Sequence, residues 1–174
     1  WAVGYVGVVV KWNGSAWSPQ TSPTTSNLHA VWATAANDVW AVGEANASGG
    51  PTLLKYSGAS WASQTAGAIP VLNKQTLRGL WGSTSSTIWA VGENGVLANW
   101  NGTSWSAQAT GTRENISHFW GPDASNVWAV GGTGPTNLTS VIAQRTGSAW
   151  SSVRTGTDAL HGIWGTRADN IWAT

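Results

Sequence analysis

The chain has 174 residues, eight Lys and Arg against seven Asp and Glu for a net charge of +1, no Cys, no Met and 15 Trp. The length suits one domain with a real core. Singly scattered charges speak against a nucleic-acid or anionic-membrane partner, no apolar run approaches a membrane-spanning helix, and the absence of Cys excludes disulfides, thiolate metal sites and cysteine nucleophiles.

The chain opens on Trp1-Ala2-Val3-Gly4, and the same string returns at Trp40, Trp89 and Trp128, with a truncated copy at Trp172. A second Trp stands eight residues earlier wherever the chain exists, at Trp32, Trp81, Trp120 and Trp164. A third follows a Gly by three residues, at Trp17, Trp61, Trp105 and Trp150. Thirteen of the 15 Trp therefore hold fixed phases, with intervals of 39, 49, 39 and 44 residues. That periodicity divides the single domain 1–174 into repeats at about 1–27, 28–76, 77–115 and 116–159, and a partial repeat at 160–174.

Each repeat predicts four short strands. In the best-preserved copy these are Leu77–Trp81, Ile88–Gly92, Val96–Trp100 and Ser104–Ala109, with a Ser/Thr-rich turn over Gly82–Thr87 between the first two. Asn13-Gly14 and Asn101-Gly102 join the last two strands, and Asn-Gly between apolar runs predicts a type I′ hairpin with both central residues at positive φ. Ser57-Gly58 and Thr146-Gly147 are weaker versions. No segment carries a helical period, so the fold class is all-β. Four antiparallel strands per ~40–50 residues is the period of a β-propeller blade, and flat indole rings suit the gaps between neighbouring blades.

The first repeat lacks its first strand, and the C-terminal stretch from Leu160 supplies a spare one. The spare strand predicts a closed four-bladed ring. The duplicated Ile171-Trp172-Ala173 predicts a longer propeller, or strands shared between chains. Connections lengthen at Glu44–Thr52, Ala66–Thr76 and Gly132–Ser140, where binding functions of a repeated frame usually sit.

Asp38-Val39-Trp40-Ala41-Val42-Gly43, with Gly95 to Trp105, resembles the Trp-rich DVWAVG-repeat family of secreted bacterial proteins, itself similar to Asp-box and photosystem-assembly-factor propeller repeats. The likeness spans essentially the whole chain. It implies the propeller fold and an extracellular or cell-surface location; 39 Ser and Thr residues and few charges agree with life outside the cell. The Asp-box carries an Asp just ahead of its Gly. Here Trp12, Tyr56, Trp100 and Thr146 stand ahead of the glycines, so no Asp-box carboxylate carries over.

In a propeller the first strand of each blade lines the central channel. The residues three before its Trp are His29, Arg78, Ser117 and His161, which predicts a polar ring able to hold an anion or a ligand's polar group; solvated channel lining is the alternative. His118, one residue out of phase, is expected to face elsewhere. Trp12, Tyr56 and Trp100 end the third strands near the rim, where exposed rings beside Asn13 and Asn101 suit a sugar face; packing between blades is the alternative. Among the carboxylates only Glu44 and Glu93 share a phase, on different blades, which disfavours paired-carboxylate hydrolysis. The five Arg fall at five phases, which disfavours a sialidase-type clamp. No metal or cofactor motif is present. Sequons stand at Asn13, Asn46, Asn101, Asn115 and Asn137. The reading is a non-catalytic recognition module for a glycan or protein ligand, with no nucleic acid and no membrane insertion. A structural subunit that self-associates through its terminal strands, and a sialidase-like glycoside hydrolase, are the alternatives.

Overall fold

A computed structural model of the chain describes residues 1–65, 72–133, 139–156 and 158–174. The lengthened connections after Ala66 and after Gly132 fall largely outside these residues, as does the sequon at Asn137.

The first repeat forms a three-stranded sheet of β1 (Ala2–Val3), β2 (Val9–Trp12) and β3 (Trp17–Gln20). The second forms a four-stranded sheet of β4 (Leu28–Ala35), β5 (Asp38–Ala45), β6 (Pro51–Tyr56) and β7 (Trp61–Ser63). The third repeats it with β8 (Leu77–Thr84), β9 (Thr87–Gly92), β10 (Leu97–Trp100) and β11 (Trp105–Gln108). The fourth uses β12 (Ile116–Asp123), β13 (Asn126–Thr133), β14 (Thr139–Thr146) and β15 (Ala149–Gly156), and a final pair comprises β16 (Ile163–Arg167) and β17 (Asn170–Ala173). Every sheet is an antiparallel meander with strands in chain order. The only helical pieces among the described residues are short 3₁₀ turns such as Tyr5–Gly7 and Glu93–Gly95.

Successive sheets lie side by side: β4 contacts β8, β8 contacts β12, and β12 contacts β16. The core is accordingly divided into layers, one at each of the first three junctions. Val9, Leu28, Val39, Leu54 and Trp61 fill the first; Trp40, Leu53, Leu77, Ile88 and Trp105 the second; Trp81, Trp89, Leu97, Ile116 and Val141 the third.

The glycine that ends the recurring Trp-Ala-Val-Gly string has a steric cause. A Cβ on Gly43, Gly92 or Gly131 would collide with the carbonyl oxygen of Asn27, Thr76 or Asn115, the residue just before the first strand of the same repeat. Those carbonyls accept hydrogen bonds from the N–H groups of Glu44 (3.0 Å), Glu93 (3.0 Å) and Gly132 (2.8 Å). Close backbone approach locks the first strand to the second in every complete repeat.

Two expectations need correction. The Asn-Gly hairpins are not type I′: Gly14 and Gly102 have φ of +105° and +99°, but neither Asn13 nor Asn101 has positive φ. The loops have four residues, and the Asn side chain organises them. Asn13 Oδ1 accepts from the N–H groups of Ser15 and Ala16, both at 2.9 Å, and Asn101 Oδ1 from those of Thr103 (3.0 Å) and Ser104 (2.9 Å). This Asx capping outcompetes the tight turn. Nor does the C-terminal strand join the first sheet: among the described residues β16 pairs only with β17. The outer sheets each leave aromatics exposed, Trp12 (45%) and Trp17 (53%) on one, Trp164 (61%) and Trp172 (53%) on the other.

Candidate functional site

The first strands β4, β8 and β12 each carry a β-bulge at the same place. In β4 the register skips from Leu28↔Gly43 to Ala30↔Val42, in β8 from Leu77↔Gly92 to Gly79↔Val91, and in β12 from Ile116↔Gly131 to His118↔Val130. The extra residues are His29, Arg78 and Ser117, three of the four members of the sequence-predicted ring. A bulge leaves one residue unpaired and re-aims its side chain. All three converge on a cavity of about 290 Å³, also lined by His118 and Phe119.

His118 thus lines the cavity instead of facing away, because the bulge at Ser117 shifts the alternation by one residue. His161, just before β16, is not among the lining residues but lies close enough to act on His118 electrostatically. The cavity wall, by partial burial, lowers the pKa of His118 below its usual 6.5, and His161 lowers it further.

The phase shared by Glu44 and Glu93 now has a role. Each stands beside the bulge residue of its own repeat. Glu44 lies 3.7 Å from His29 Nε2 and accepts from the Asn27 side-chain amide at 3.0 Å; Glu93 accepts from Arg78 Nη2 at 2.6 Å. The fourth repeat has Ser117 and Gly132 at these positions and no charge. The cavity therefore presents the Arg78 guanidinium and two imidazoles, with the Glu44 and Glu93 carboxylates beside two of its bulge residues. Arg78 Nε is buried without an acceptor among the described residues. Among the described residues no three His, Asp or Glu side chains gather as a metal site.

The aromatic candidates part company. Tyr56 is 8% exposed, with its ring 4.8 Å from Trp1 and 5.6 Å from Trp61, and its hydroxyl donates to the Gly58 carbonyl at 2.8 Å. Trp100 lies 5.1 Å from Trp40 and 5.8 Å from Trp105, with its indole N–H buried. Both pack between sheets. Trp12 pairs with Trp17 at 5.6 Å on an exposed face. The pattern is a repeated lock: the second-strand Trp of one repeat enters the outer hairpin of the next. Trp1 meets Tyr56 and Trp61; Trp40 meets Trp100 and Trp105; Trp89 meets Trp150 at 5.5 Å. In the last case the aromatic slot opposite Trp150 holds Arg145, the residue before Thr146, and its guanidinium lies 5.2 Å from the Trp89 ring. Lys11 and Lys55 cover the first two locks, at 5.1 Å from Trp1 and 5.0 Å from Trp40.

Sequence reasoning did not find the bulges, the cation–aromatic covers or the grooves between sheets. Spacing alone does not show which strand carries an extra residue. The placement of Lys11 and Lys55 immediately before Trp12 and Tyr56 was the available signal for the covers. No helix of the described residues is long and apolar enough to cross a membrane. No family model matches this chain, and no curated protein matches it either.

Proposed function

We propose that the chain is a β-propeller, akin to the DVWAVG-repeat proteins, that acts outside the cell as a non-catalytic recognition module. Side-by-side packing of successive meander sheets, with the first strands as mutual neighbours, supports a radial arrangement. The observation that carries recognition is the repeated bulge, which delivers His29, Arg78 and Ser117 from three repeats into one cavity. A fold that needed only stability would gain nothing from aiming three polar side chains at a common space. Rigid sheets hold these groups in place, so little conformational freedom is lost on binding. Glycan and protein ligands are the classes this surface suits. Screening the intact chain on a glycan array and against extracellular protein fractions tests the reading. Binding that Arg78→Ala weakens at least tenfold supports it. A ligand found by the screen that binds Arg78→Ala and Ser117→Ala unchanged removes the cavity from it.

A second reading, a structural subunit, rests on the outer sheets. Trp12 and Trp17 on the first sheet, and Trp164 and Trp172 on the last pair of strands, form two exposed aromatic faces. Head-to-tail association would join them. Light scattering across a concentration series distinguishes the two, since a strict monomer excludes such assembly. The glycosidase alternative gains no support from Glu44 and Glu93, which engage Asn27 and His29 in one repeat and Arg78 in the other.

A further inference from the structure

A second concavity lies where the third and fourth sheets meet, away from the bulge cavity. It is a groove of about 650 Å³, within the ~300–1,000 Å³ range of ligand pockets. Asn94 from the 3₁₀ turn, Gln108 at the end of β11, Arg113 from the following linker, and Ser152 and Arg154 from β15 line it.

The linker's shape is set by hydrogen bonds that also occur after the first repeat. Thr112 N–H donates to Thr110 Oγ1 at 3.4 Å, as Thr24 N–H does to Ser22 Oγ at 3.4 Å. Glu114 N–H donates to Thr112 Oγ1 at 3.0 Å, as Ser26 N–H does to Thr24 Oγ1 at 3.0 Å. Asn94 N–H donates to Asn115 Oδ1 at 3.0 Å, as Val6 N–H does to Asn27 Oδ1 at 2.9 Å. The same frame is built with Thr25 and Ser26 in one place and Arg113 and Glu114 in the other. The fold therefore does not require the charges.

Their arrangement suits recognition. Glu114 is 8% exposed, and its Oε1 accepts from Arg154 Nη2 at 2.8 Å. The buried carboxylate anchors the guanidinium through one nitrogen. The rest of Arg154, 65% exposed as a side chain, remains available at the groove. Arg113 is exposed and makes no hydrogen bond or salt bridge to a described residue. Two guanidiniums against one carboxylate leave the groove with one excess positive charge. Planar guanidinium groups match carboxylates in a bidentate way. Around them stand amides and a hydroxyl, with no large apolar anchor of the kind a peptide ligand uses.

We infer that this groove binds a saccharide bearing a carboxylate, of the uronic-acid class. The carboxylate pairs with Arg113 and Arg154, and the sugar hydroxyls pair with Asn94, Gln108 and Ser152. This inference rests on the recognition-module reading and assigns it a ligand class and a second site.

Titration calorimetry of the intact chain with digalacturonate, and with the neutral disaccharide galactobiose, tests it. Saturable binding of the uronate is expected, at least tenfold weaker in Arg113→Ala and in Arg154→Ala, unchanged in the exposed surface variant Arg167→Ala, and reduced by salt. Galactobiose should bind at least tenfold more weakly. Arg113 is solvent-exposed, so an unchanged melting temperature will verify that its variant folds. Equal binding of both sugars, uronate binding indifferent to Arg113, or no uronate binding would each overturn the inference. If the uronate fails while another ligand binds and responds to Arg78→Ala, the recognition-module reading survives without this groove. If no glycan or protein binds at all, both fall.

Discussion

The junction between the first and second sheets and the junction between the third and fourth are built on one plan and finished differently. Both close a linker with the same hydrogen bonds, and both place a left-handed glycine, Gly7 at φ +69° and Gly95 at φ +68°, against a linker carbonyl. Yet the corresponding concavity is about 40 Å³ at the first junction, lined by Thr24, Ser63 and Gln64, and about 650 Å³ at the third. The packing differs too: Trp89 is 2% exposed at the third junction, whereas Trp1 is only partly buried at the first. A repeated scaffold fixes the backbone at each junction and leaves the side chains there free to differ.

The largest effect that could break this comparison lies in the aromatic locks. Trp89→Ala should cost about 3–5 kcal/mol, as for a fully buried large side chain. Trp1→Ala should cost about 1 kcal/mol, because water already reaches that ring. Chemical denaturation of both variants measures the difference; equal losses would show that burial does not rank the junctions. Next come the glycines. Gly7→Ala and Gly95→Ala should each cost about 1–3 kcal/mol, since a Cβ strikes the carbonyl of Thr24 or Thr112. Thermal unfolding should find them alike, and a large disparity would deny a common frame.

A subtler contrast sits one residue earlier. Val6 and Asn94 both adopt the left-handed region, with φ of 56° and 55°. Asn tolerates that conformation and a β-branched residue resists it. Val6→Asn should stabilise the chain by about 1 kcal/mol, and Asn94→Val should destabilise it by a similar amount, both read from denaturation midpoints. The smallest effect is expected at His118, whose counterpart in the second repeat is Ala30. Its folded-state pKa lies below the ordinary 6.5, so the folded chain holds this proton less readily than the unfolded chain. Stability should be full above about pH 6.5 and decline as the pH falls towards the lowered value. His118→Gln should flatten that slope; an unaltered pH profile would contradict it.

The four-strand meander, the start of a first strand at Leu77 and the end of its second at Gly92, and the burial of six of the thirteen phased Trp were legible from spacing alone. Alternation and turn residues act locally, and a repeat states them several times. Three members of the polar ring were legible for the same reason: equal phase puts equal residues at equal places. What spacing could not show was that these residues are bulged, that His118 joins them, that Glu44 and Glu93 each contact the bulge residue of their own repeat, or that Tyr56 and Trp100 turn inward. Those outcomes depend on which sheet stands next to which face. The sequence by itself determined strands, their order within a sheet and the glycines that permit close backbone contact, because these follow from sterics over a few residues. Only the tertiary structure decided which aromatics are covered, where charges meet and which junction opens into a groove, because contacts between sheets join residues tens of positions apart whose proximity no local rule encodes.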